Sequence, residues 1–113
     1  MLKESVNWVD FEKLDIRVGT VVEVLEFPEA RRPAYKLSID FGDLGVLKSS
    51  AQITKNYTIA DLINIQVIAI VNFSPKQIGN FMSQCLVLGL YTEDGSVVLI
   101  KPERHVFNGA KLG

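Results

Sequence analysis

The chain has 113 residues and a mass of 12.6 kDa, the span of one domain; 48% hydrophobic and 22% charged residues exclude a disordered chain or a repeat fibre. Its 12 Lys and Arg face 13 Asp and Glu for a formal charge of -1, so any nucleic-acid binding must come from a local patch rather than a global field. One cysteine, Cys85, and one histidine, His105, give no basis for a disulfide framework or a zinc module, and neither a metal nor a cofactor is expected.

Residues 1–14 form an N-terminal segment without the basic start and apolar stretch of a secretory signal, and its Glu4 and Asp10 argue against a transit peptide. A cytoplasmic location is expected. Asp10-Phe11-Glu12-Lys13-Leu14 offers Asp10 as an N-cap followed by an acidic first turn, which predicts a single helical turn. Arg17 to Leu25 is dense in β-branched residues and predicts strand one, with Gly19 marking a bend or bulge. Pro28 and Pro33 bracket an irregular loop carrying Arg31 and Arg32. Tyr35, Leu37, Ile39 and Phe41 then alternate with Lys36, Ser38 and Asp40, a half-buried strand two. Gly42-Asp43-Leu44-Gly45 is a hairpin connection into strand three at Val46 to Ser50.

Thr58 with Asp61 three residues later predicts a short capped helix. Ile65 to Asn72 is nearly all apolar and β-branched, as a central strand covered on both faces should be. Ser74-Pro75 opens a loop with Pro suited to the first position of a helical turn, and Gly79-Asn80 closes it. Cys85 to Tyr91 is strand five, Val97 to Ile100 strand six, and residues 102–113 form a tail that packs locally or across a partner. About six short strands with one helical turn between the third and fourth predict an all-β small barrel of OB type, a single domain over residues 1–113. The longest apolar run, Val67 to Val71, is too short to span a bilayer, so no membrane insertion is expected. A mean hydropathy of +0.21 is high for so small a domain and points to apolar surface buried between subunits.

Catalytic constellations are missing. The lone His105 lies in the tail, no Gly-x-Ser-x-Gly elbow occurs, and Cys85 sits inside an apolar strand pattern where it reads as core. No glycine-rich phosphate cradle is present either. Charge is uneven along the chain: residues 1–30 hold 7 acids against 3 bases, and residues 31–90 hold 6 bases against 3 acids. The informative stretch is residues 72–84, which combines amides, hydroxyls, one cation and two rings. Lys76 suits a phosphodiester, Asn72, Ser83 and Gln84 suit base edges or 2′-hydroxyls, and Phe73 or Phe81 suits base stacking. The same residues also fit a loop whose rings cap the core and whose amides satisfy turn backbone.

Asp15-Ile16-Arg17-Val18-Gly19-Thr20-Val21, Pro28-Glu29-Ala30 to Lys36-Leu37, Asp40-Phe41-Gly42, Asn72-Phe73-Ser74-Pro75-Lys76 and Ser83 stand in an order that resembles the tRNA-binding domain family. The resemblance runs from about residue 8 to the C-terminus. Ala30 to Leu37, Ser49 to Thr54 and Leu86 to Leu90 are similar to its CsaA branch of secretion-related chaperones. It implies an OB-fold, a homodimer, no enzymatic activity, recognition of tRNA or other structured RNA, and binding of unfolded or pre-export polypeptides. Arg17, Asn72, Lys76 and Ser83 fall on the family's RNA-facing positions. The synthetase-type pattern has Ala or Gly then Met where Cys85-Leu86 stand, and a compact Ala-Asp-Lys-Leu in place of the arginine-bearing loop; both departures favour the chaperone branch.

Peptide contacts follow from placement rather than resemblance: Phe73, Ile78 and Phe81 to line an apolar groove, Arg31 and Arg32 to attract acidic flanks. A dedicated structure-specific tRNA binder without chaperone role is the alternative, and a docking module with no ligand of its own is the third. RNA binding should fall steeply with salt and peptide binding should not.

Overall fold

Consecutive β-branched residues disfavour helix and fit a pleated surface, and they give the longest strand of the chain, β1 (Ile16–Glu26). The computed structural model describes all 113 residues. Strand β1 pairs antiparallel with β2 (Tyr35–Asp40) through its second half and with β4 (Gln66–Ile70) through its first half. Strand β3 (Val46–Ala51) lies beside β2, and β7 (Leu86–Val87) lies beside β4, so the sheet order is β3-β2-β1-β4-β7. Two hairpins complete the fold: β5 (Lys76–Ile78) with β6 (Phe81–Ser83), and β8 (Gly89–Tyr91) with β9 (Val97–Leu99).

The sheet curls until β3 meets the segment after β6. Gln84 N donates to the Lys48 carbonyl at 2.7 Å, and Lys48 N donates back to Gln84 Oε1 at 2.9 Å. Ser50 N donates to Ser83 Oγ at 3.2 Å, and Ser49 Oγ donates to the Cys85 carbonyl at 2.9 Å. The barrel is thus nearly closed, and its seam is sewn partly by side chains. Inside it, Val21, Leu37, Ile39, Phe41, Leu62, Val67 and Ala69 are fully buried. Cys85 joins this core as expected; desolvation pushes its thiol up to about 11, so it is not a thiolate at neutral pH.

Four local expectations are corrected. Asn7, not Asp10, caps the first helix α1 (Trp8–Glu12): its side chain accepts from Asp10 N at 3.1 Å, and Asp10 becomes the acid of the first turn, paired with Lys13. Gly19 is not the bulge. The register against β2 shifts between Val21 and Glu23, leaving Val22 as the extra residue. Gly19 instead permits close approach, since a Cβ there would stand 2.6 Å from Ile39 Cγ2 and 2.7 Å from Phe41 Cδ1. The stretch after Ser74-Pro75 is not a helical turn but the β5–β6 hairpin, turning at Gly79 with φ +58°. Strand five breaks at Leu88 into β7 and β8, because Leu88 N turns to the Ile68 carbonyl while the Leu88 carbonyl accepts from Ile100 N.

The short helix α2 (Ile59–Leu62) carries the expected capping box, Thr58 and Asp61 exchanging side-chain and backbone hydrogen bonds, and drives Leu62 into the core. The tail docks locally along β1: Gly109 N donates to the Val18 carbonyl, Val18 N to Ala110 O, and Leu112 N to the Ile16 carbonyl. No helix is long and apolar enough to cross a membrane.

Candidate functional site

The β5–β6 hairpin projects from the seam, and its register sets Lys76 directly opposite Ser83. Beside this pair opens a cleft of ≈ 450 Å³ lined by Phe73, Ser74, Lys76, Ser83, Gln84, Cys85 and Leu86. Lys76 is exposed and has no carboxylate within ion-pair distance. Phe73 is 50% exposed, leaving a ring face open to solvent. The hydrogen bonds of the seam decide what the cleft offers. Lys48 N occupies Gln84 Oε1 and Ser50 N occupies Ser83 Oγ, so the Gln84 NH₂ and the Ser83 hydroxyl proton are left as donors. A cation and two neutral donors on one wall suit an anionic or oxygen-rich ligand, a phosphodiester above all.

The Arg17 and Asn72 side chains both bond to Asp15. The Arg17 guanidinium donates to Asp15 and to the Gly109 carbonyl, which fastens the tail over β1. Asn72 Oδ1 accepts from Asp15 N at 2.9 Å and its Nδ2 donates to the Lys13 carbonyl at 2.7 Å, tying the N-terminal segment to the end of β4. Both side chains are held by these bonds. Lys76, Ser83 and Gln84 line one cleft, while the bonds of Arg17 and Asn72 tie in the tail and the N-terminal segment.

Of the three residues expected to line an apolar groove, Phe73 opens on this cleft. Ile78 and Phe81 are half-buried, and the Phe81 ring meets buried Phe27 edge-on at 5.5 Å. Arg31 and Arg32 are exposed on the β1–β2 loop. Apolar surface also collects at the N-terminus, where Trp8 and Phe11 pack edge to face at 5.8 Å. With Leu14, Ile16 and Leu112 they line a cleft of ≈ 410 Å³. The signal for this face was the density of Leu2, Val6, Trp8, Val9 and Phe11 ahead of the first strand.

The family model described as a putative tRNA binding domain matches residues 16–111, which take in β1, the seam, the β5–β6 hairpin and the docked tail. The chain belongs to this family. Among solved structures, the chaperone CsaA of Bacillus anthracis str. Ames is 51% identical with a TM-score of 0.92, covering 97% of this chain and 100% of that one. The CsaA chaperone protein of Picrophilus torridus is 53% identical with a TM-score of 0.90, covering 96% and 100%. Among curated relatives, the methionine--tRNA ligase of Thermococcus onnurineus (strain NA1) is 36% identical over 96% of this chain, which spans 14% of the ligase. The methionine--tRNA ligase of Parabacteroides distasonis matches at 32% identity over 98% of this chain and 16% of its own length.

Proposed function

We propose that the protein is a CsaA-like chaperone for unfolded or export-bound polypeptides, a cytoplasmic homodimer without enzymatic activity that also binds tRNA at the Lys76–Ser83–Gln84 cleft. The observation that carries the chaperone assignment is similarity to CsaA chaperones at 51–53% identity over 100% of their lengths, against 14–16% of the ligases' lengths. A buried, protonated Cys85 and an exposed His105 in the tail support the non-catalytic assignment. The donor-lined cleft supports tRNA, because phosphate contacts from Lys and neutral donors position a nucleic acid without requiring a strongly basic protein.

A dedicated tRNA-binding role is the second reading, favoured by one observation: the half-buried Phe81 ring packs edge-on against Phe27 and is only partly open to a ligand. Fluorescence anisotropy of a labelled tRNA and a labelled apolar unfolded peptide, with wild type and Lys76→Ala at low and physiological salt, separates the two. The expected result is peptide binding that changes little with salt, and tRNA binding that weakens with salt and drops with Lys76→Ala. Tight tRNA binding at physiological salt with no peptide binding would give the dedicated role. Peptide binding without any tRNA binding would remove the RNA half of the proposal.

A further inference from the structure

The β5–β6 hairpin has only three cross-strand pairs, too few to stand alone in water. Its base is held by the seam; its tip is held by a second device. Lys36, on β2, places Nζ 5.0 Å from the centroid of Phe27 and 5.8 Å from that of Phe81, with the two rings 5.5 Å apart. The same ammonium lies 3.8 Å from Glu29 Oε2 on the β1–β2 loop. A Cβ built on Gly79 at the hairpin turn would sit 3.9 Å from Glu29 Cβ, so turn and loop lie side by side. The Lys36 side chain is only 25% exposed, which strengthens its attraction to the rings relative to a fully solvated pair.

Three elements therefore meet at one cation: the end of β1 with its loop, β2, and the hairpin. The loop carries Arg31 and Arg32, and the hairpin carries Lys76. We propose that Lys36 is a positioning residue that latches the arginine loop to the Lys76 hairpin, making them one preorganised cationic surface for the phosphates of a structured RNA. This rests on the tRNA half of the proposed function. Lys36 touches no phosphate itself; it acts by suppressing independent motion of the two elements, which lowers the ordering needed when RNA binds. Lys36→Met keeps the aliphatic stem and removes the charge, whereas Lys36→Arg keeps a cation that can lie over both rings.

Amide hydrogen exchange and tRNA anisotropy across a salt series test it on the intact protein. Lys36→Met is expected to speed exchange about tenfold in residues 28–34 and 76–83, leaving β1, β2 and β4 unchanged. It should weaken tRNA binding by a similar factor with the same salt slope, and Lys36→Arg should restore both. A salt slope reduced by about one would make Lys36 a direct phosphate contact and overturn the latch. Unchanged exchange, or faster exchange with unaltered tRNA affinity, would also overturn it. Phe81→Leu, which keeps an apolar side chain and removes one ring, carries the same test if Lys36→Met fails to fold. Wild type that binds no tRNA would refute the RNA reading, and exchange alone would then decide whether the latch exists.

Discussion

Asp94 shows how much one side chain can organise on a surface. In the β8–β9 turn it accepts from Thr92 Oγ1 at 2.6 Å, Ser96 Oγ at 2.7 Å and Ser96 N at 3.0 Å, and it pairs with Lys55 at 3.1 Å. These hydrogen bonds, Thr92's foremost, hold its carboxyl well below the usual carboxylate range. A depressed folded pKa gives stability that is present above the unfolded value, near 3.8, and is lost as pH falls through the folded value. Asp94→Asn is therefore expected to lower the Tm at pH 7 and to approach the wild type as pH drops below 4, because the unfolded wild-type chain then takes up a proton at Asp94 that the folded one does not. Thermal unfolding of both proteins across that range checks it; a constant difference would mean that shape alone, not charge, holds the turn.

At the scale of elements, β1 and β4 were legible from runs of β-branched and apolar residues, and β2 from the alternation of Leu37 and Ile39 with Lys36, Ser38 and Asp40 at the strand period. The capping box at Thr58 and Asp61 was legible because it is local. The hairpin was not, since Ser74-Pro75 is as good a start for a helical turn as for a loop, and the bonds of Ser83 and Gln84 to β3, distant in sequence, decide between them. The intramolecular partners of Arg17 and Asn72 were hidden for a related reason: Gly109 and Lys13 lie 92 and 59 residues away, and no spacing reveals them. Gln84 carries both jobs, closing the seam through Oε1 and offering NH₂ to the cleft, and two substitutions separate these jobs. Gln84→Ala leaves Lys48 N without its partner and should reduce stability by about 1 kcal/mol, roughly a 5 °C fall in Tm. Gln84→Glu keeps the acceptor and the seam, yet sets a carboxylate oxygen where a donor faced the cleft. Its Tm should stay near wild type while tRNA affinity falls about tenfold at moderate salt; equal tRNA affinity in wild type and Gln84→Glu would remove Gln84 from the RNA site.

Over the whole molecule, the radius of gyration is 14.3 Å, against roughly 13 Å for a compact domain of this length. The excess fits a barrel with projecting parts, of which α1 is the most apolar. No residue of α1 is buried, and Trp8 is 75% and Val9 66% exposed, while Phe11 and Leu112 line the cleft beside them. Such a patch on so small a surface is what a self-complementary two-fold contact covers. Because Trp8 contributes nothing to the barrel's own core, Trp8→Glu should leave monomer stability nearly unchanged and break the proposed dimer by burying an unpaired charge at its centre. Sedimentation at micromolar concentration should then give twice 12.6 kDa for wild type and 12.6 kDa for the variant. Trp8 is also the chain's single tryptophan, so its emission reports on this face alone: a blue shift as wild type is concentrated locates the contact at α1. A dimer whose tryptophan emission does not move with concentration would place the interface elsewhere, on the exposed Leu90, Tyr91 and Val98 of the β8–β9 hairpin. A wild-type monomer would mean that the apolar face at α1 is free to receive polypeptide instead.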